Sequence, residues 1–150
     1  RQQKVYDFAV KVNKELANAH IYAKFAWDKG ATEAEMKQCL SDIRKSQWRW
    51  DYALASHGAA FHAPQEVMRL LANSMMYAKD AQLQATRVAA KHGFTGQIPL
   101  PDISTREKAA KYVGLDMKTL HAQKQDFLNT VVPKWIETAR KNKRFITQPM

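Results

Sequence analysis

Apolar residues return every three or four positions along most of this chain, the spacing of one face of an α-helix. Val5, Phe8, Val12, Leu16, Ala19 and Ala23 form the first stripe and predict a helix over residues 1–30. Thr32 followed by Glu35 has the spacing of a capping box, so a second helix is expected over 32–57, with Met36, Leu40, Ile43, Trp50 and Leu54 as its buried stripe. Gly58 interrupts it. Residues 58–63 then read as a histidine-bearing turn, and Pro64, whose missing N–H costs nothing in a first helical turn, opens a third helix over 64–92. The stripe of that helix is Val67, Leu70 or Leu71, Ser74, Ala78, Ala81, Ala85 and Val88.

The pattern lapses over residues 94–103, where glycine and two prolines predict an extended connector rather than a strand. Helices resume over 104–143. Ser104 with Glu107 opens a short one to about Tyr112, Gly114 closes it, and Asp116 caps a long one that Pro133 should kink near residues 129–132. The end, RKNKRFITQPM, is basic, and its residues 144–150 are expected as a tail beyond the last helix. The fold class predicted is therefore all-α: a single helical domain over 1–150, built as a bundle of long antiparallel helices with a Pro/Gly-rich connector. At 1.5 Å per residue the second and third helices reach roughly 35–45 Å, long enough to project and pair with a second copy.

Composition narrows the picture. A chain of 150 residues can bury roughly 70% of its unfolded surface, and no run of eighteen apolar residues offers a membrane span. The start, RQQKVYDF, has neither an initiating Met nor an apolar signal centre, which reads as a mature or excised piece. A single cysteine, Cys39, rules out an internal disulfide, a CxxC pair, a four-thiolate zinc site and haem attachment through CxxCH. Flanked by Met36, Leu40 and Ile43, it reads as a core filler.

Five histidines remain as metal ligands: His20, His57, His62, His92 and His121. None makes an HExxH or i, i+4 pair, so a self-contained zinc site is not expected. His92 sits where a cation suits a helix C-terminus. His62 lies just before Pro64 between Phe61 and Ala63, so its backbone is held and its flanks are apolar. Such an imidazole suits an axial haem ligand, which must stay within about 2 Å of iron; the plain alternative is a histidine that caps the helix.

The stretch QWRWDYALASHG and the net charge of +10 raise a nucleic-acid reading. Residues 48, 50 and 52 step about 200° around a helix, however, and make no single stacking platform. Trp50 belongs to the core stripe, whereas Trp48 and Tyr52, at i, i+4, form a second face, a candidate to meet another subunit, a further domain or a flat cofactor.

QWRWDYALASHGAAFHAPQEVMRLL, with AAKHGF, LPDIS and QDFLNTVVPKW following in order, closely resembles the C-terminal helical part of ammonia-forming pentahaem cytochrome c nitrite reductase, and the likeness runs along essentially the whole chain. The resemblance implies a periplasmic oxidoreductase that reduces nitrite to ammonium with six electrons through five c-type haems. It implies that His62 is the distal axial ligand to the iron of one relay haem c, and that His57 lies at a helix end or behind that ligand. It also implies a homodimer formed through long helices, and an electron-donor cytochrome or quinol-oxidising partner. Neither CxxCH nor CxxCK occurs, so the haem would be attached outside this stretch, on the remainder of the reductase polypeptide. The family's substrate-pocket arginine, tyrosine and histidine, and its calcium site, are likewise missing. No catalytic residue is carried over, and these 150 residues alone are expected to be inactive. The alternative reading is a haem-free helical interaction and dimerisation module; nucleic acid is not expected as a partner.

Overall fold

The computed structural model describes residues 2–56 and 58–144. His57 and most of the predicted tail, residues 145–150, lie outside that range. Among the described residues every regular element is a helix: α1 (Gln2–Asp28), α2 (Glu33–Ala55), α3 (Ala59–His62), α4 (Pro64–Lys91), α5 (Arg106–Tyr112) and α6 (Met117–Lys141). The chain packs as two compact units, Arg1–Leu100 and Pro101–Met150.

The first unit is built on α1, α2 and α4. Helix α4 packs against both others along the small-residue stripe read from the sequence, with Val67, Leu71, Ser74, Ala78, Ala81, Ala85 and Val88 all buried. Pairing across the bundle gives the directions. Cys39 Sγ donates to the Ala81 carbonyl and Ser46 meets Ser74, so α2 and α4 are antiparallel. Trp50, near the end of α2, donates its indole N–H to the carbonyl of Ala9, near the start of α1, at 3.1 Å. Glu15 meets Gln82 while Val5 packs in one cluster with Val67, so α1 and α4 run the same way, a parallel pair within the expected antiparallel bundle.

Small side chains let α2 and α4 approach closely. Ser46 and Ser74 are fully buried at that seam, and each hydroxyl donates to the other's backbone carbonyl at 2.8 Å. Met36, Leu71 and Val12 are the largest apolar side chains buried in full among the three helices; each contributes about 1.5–3 kcal/mol by leaving water. Among the described residues no buried side-chain nitrogen or oxygen lacks a partner.

One end of this bundle is closed by polar contacts. Thr32 and Glu35 form the predicted capping box at the start of α2, and Glu35 also meets His92 Nε2, at the end of α4, at 3.0 Å. The Thr32 N–H, donating to the Glu35 carboxylate, is the main reason its pKa falls to about 2, with His92 and the Thr32 hydroxyl adding to the effect. Phe25 and Phe94 cross edge to face beside them under Lys29 Nζ.

Several local expectations are corrected. The 58–63 turn contains a four-residue helix, Ala59–His62, too short to show a period. Leu54 is exposed, and the preceding Ala53 continues the α2 stripe instead. The 94–103 connector, by contrast, is strand-free as expected, and Ile98 anchors it by burial.

In the second unit, Thr105 rather than Ser104 caps α5, its hydroxyl accepting from Lys108 N, while Ser104 N donates to the Asp102 carboxylate. Asp116 caps α6 as predicted, and the helix continues unbroken past Pro133. No residue of α6 is buried within the described chain.

Candidate functional site

His62 is the last residue of α3, at the corner between α2 and α4. Three local features set its ring. Gly58 begins α3 with φ of 82°, a left-handed conformation that side-chain-bearing residues rarely adopt, and its carbonyl accepts from His62 N at 3.0 Å. The imidazole folds back over this glycine: a methyl group there would lie 3.5 Å from His62 Cδ2, which is ordinary contact. Phe61 meets the ring edge to face, with centroids 5.1 Å apart. Beyond it, Ala63 is the N-cap of α4 and Pro64 its first residue, so the chain leaves the corner in a fixed direction.

The capping alternative is thereby excluded. The cap residue is Ala63, it makes no side-chain cap, and the His62 ring is hydrogen-bonded to no described residue. The ring is exposed and lines a cleft of about 960 Å³ with Lys4, Val5, Ala63, Pro64, Gln65, Glu66, Met68 and Arg69. Residues of α1 and α4 thus share this cleft with the imidazole. Val5, Ala63, Pro64 and Met68 give the cleft apolar walls, and Arg69 donates Nε to Glu66 Oε2 at 2.9 Å on its rim. That contact holds the Glu66 carboxyl below its ordinary range and raises the Arg69 guanidinium. Sequence reading missed Lys4 and Val5, which lie 58 and 57 positions before His62, although the i, i+3 pair of Glu66 and Arg69 was visible one turn past Pro64.

The QWRW segment separates as helical geometry requires. Trp50 enters the core. Arg49 lies over the ring of Tyr77 at 4.8 Å, shared with Lys45 at 5.2 Å. Trp48 and Tyr52 stack on each other at 5.4 Å, and remain 61% and 53% exposed. They form the second face read from the sequence, exposed among the described residues.

The other histidines are dispersed. His20 is exposed on α1, His92 pairs with Glu35, and His121 lines a separate 450 Å³ cleft within the second unit, beside Val113, Leu115 and Leu120. Among the described residues no three His, Cys, Asp or Glu side chains are grouped to hold a metal ion. Cys39 is fully buried, and burial pushes its thiol up to about 11, which removes it from thiolate chemistry near neutral pH. No helix among the described residues is long and apolar enough to cross a membrane.

Comparison with known proteins corrects the family expected from the resemblance. The family described as Cytochrome c552 matches residues 1–144. A protein of Porphyromonas gingivalis named Cytochrome c-552 is 56% identical over 140 residues, covering 93% of this chain and 28% of its own length. A Bacteroides fragilis protein of the same name is 52% identical over 144 residues, covering 96% of this chain and 29% of its own. These descriptions name a cytochrome c552, and they replace the reading of the chain as an inactive C-terminal part of a pentahaem nitrite reductase. The chain spans less than a third of the length of these relatives. With a match over 144 of its 150 residues, the chain belongs to the cytochrome c552 family.

Proposed function

We propose that this chain serves electron transfer in a haem-bearing cytochrome, and that His62 is the distal axial ligand of a haem c iron. The observation that carries the reading is the imidazole itself: oriented by Gly58, Phe61 and the α3–α4 corner, free of hydrogen bonds to described residues, and turned to an apolar-walled cleft of about 960 Å³. The donor set fits the group. A neutral imidazole is a good ligand for haem iron, and the cleft is at the upper end of the size usual for a small-molecule site. The lone Cys39 is buried in the core and no CxxCH is present, so thioether attachment falls to protein outside these residues. A bound haem would supply a one-electron iron couple; His62 would offer its imidazole to the iron, and Val5, Ala63, Pro64 and Met68 would give the macrocycle apolar surface.

The test is His62→Ala in the intact holoprotein. The reading expects one haem to lose its low-spin, two-imidazole spectrum and to shift in potential; unchanged spectra for every haem would refute it. A periplasmic location, an electron-donating cytochrome or quinol-oxidising partner, and nitrite as the final acceptor complete the proposal for the whole protein. Ammonium formed from nitrite by the purified protein with a reduced dye tests the last of these.

A second reading is favoured by one observation, the bare stack of Trp48 on Tyr52. As a dimerisation face it would be covered by a second copy, whether or not haem is bound. Sedimentation of Trp48→Ala distinguishes the two: a monomer with unchanged haem spectra supports a contact between copies, and a dimer with altered spectra supports a haem-side face.

A further inference from the structure

We infer that Lys4 supplies the counter-charge for a propionate of the haem held at the His62 cleft, an inference that rests on the reading of His62 as an iron ligand. A haem has three chemically different parts, and a site must answer each: iron needs a lone pair, the macrocycle needs apolar walls, and two carboxylates need cations. The cleft offers His62 for the first, and Val5, Ala63, Pro64 and Met68 for the second. Three charged residues line it, Lys4, Glu66 and Arg69.

Two of those three charges are engaged with each other. Arg69 Nε donates to Glu66 Oε2 at 2.9 Å, a second guanidinium nitrogen meets Oε1, and this local pair is neutral overall. Lys4 carries the remaining unit of charge. It lies in the first turn of α1, exposed, and its ammonium is paired with no described residue. The helix N-terminus adds a partial positive charge at the same place. A flexible four-carbon stem ending in a compact cation can reach a carboxylate at the edge of a macrocycle while Val5, its neighbour, packs inward.

The consequence is electrochemical. An uncompensated carboxylate beside the macrocycle favours the ferric over the ferrous state, because the oxidised centre carries one more positive charge. Removing the lysine charge therefore lowers the midpoint potential without altering the axial ligands.

The experiment is a spectroelectrochemical titration of the intact holoprotein as wild type, Lys4→Gln, Lys4→Arg and His62→Ala. Expected is a negative shift of one haem's midpoint in Lys4→Gln with its low-spin spectrum retained, restored toward wild type in Lys4→Arg. Because Lys4 is exposed, neither change threatens folding. If Lys4→Gln titrates like wild type while His62→Ala loses the two-imidazole signature, the propionate role is refuted and the ligand reading stands. Failure of Lys4→Arg to restore the midpoint also overturns the inference, since charge is then not the cause. If His62→Ala changes no haem, both fall together.

Discussion

Replacing Ser46 and Ser74 by alanine, singly and together, tests how the α2–α4 seam is held. Each hydroxyl is fully buried and donates to the other residue's carbonyl at 2.8 Å, with the two Oγ atoms 3.1 Å apart. A buried hydrogen bond of this kind is worth about 1 kcal/mol net. Neither single change orphans a donor, because the surviving hydroxyl keeps its own carbonyl acceptor. Alanine also returns up to about 0.5 kcal/mol of helix propensity. Each single variant should therefore lose about 0.5–1 kcal/mol and the double variant about 1–2 kcal/mol. Coupling should stay below about 0.5 kcal/mol, since only the contact between the two Oγ atoms is shared. Ser74→Leu should cost more, about 1–3 kcal/mol, by forcing the two backbones apart. Urea unfolding followed by far-ultraviolet circular dichroism, with unchanged slope, measures all four. A coupling energy above about 1 kcal/mol, or a double variant more stable than wild type, would show that the serines do not act through independent backbone acceptors.

Three further outcomes are expected. Glu35 has its folded pKa depressed from 4.5 to about 2, so the stability it contributes is fully present above the ordinary carboxylate range and is lost as pH falls toward 2; Glu35→Gln should flatten the pH dependence of the urea midpoint over that window, and an unchanged acid limb would contradict the assignment. The Cys39 thiol, buried and raised to about 11, should resist aromatic disulfide reagents at pH 8 in the folded protein and react at once in urea; rapid labelling without denaturant would contradict the packing. Gly58→Ala should lose about 1–2 kcal/mol through its left-handed backbone, with the ring contact itself tolerable at 3.5 Å, and a thermal midpoint equal to wild type would contradict that strain.

Long stripes and their punctuation were legible because both are local. Val12, Leu16, Met36, Ile43, Leu71 and Ala78 show their burial by spacing alone, and Thr32, Glu35, Pro64 and Asp116 mark helix starts through atoms within three residues. Ser46 was hidden because an alcohol at a core position breaks an apolar count; only the seam shows that its partner is Ser74, 28 residues on. Leu54 misled for the opposite reason, being apolar and one position past the residue whose direction is inward. Asp42, buried with Gln38 and Lys45 around its carboxylate, gave no sign of burial in the sequence. At the candidate site, His62 was legible from its neighbours in sequence, but Lys4 and Val5 come to it from another helix, and no spacing rule connects positions so far apart. The family reading was overturned, because it rested on the likeness of short segments, whereas the match over residues 1–144 is to cytochrome c552.

The two ends of the three-helix unit are built unequally. Thr32, Glu35 and His92 lash α2 to α4 at one end, while at the corner bearing His62 the described ties are the backbone bonds of one short turn, the Phe61 ring contact and the partly buried Ala59 and Ala60 against the core. Amide exchange should accordingly report a gradient, slow along the serine seam and fast across residues 58–63, since local opening of a sparsely tied turn costs less than unfolding the whole. That gradient would leave the corner freer to adjust than the rods behind it, which keep their register through the serine seam.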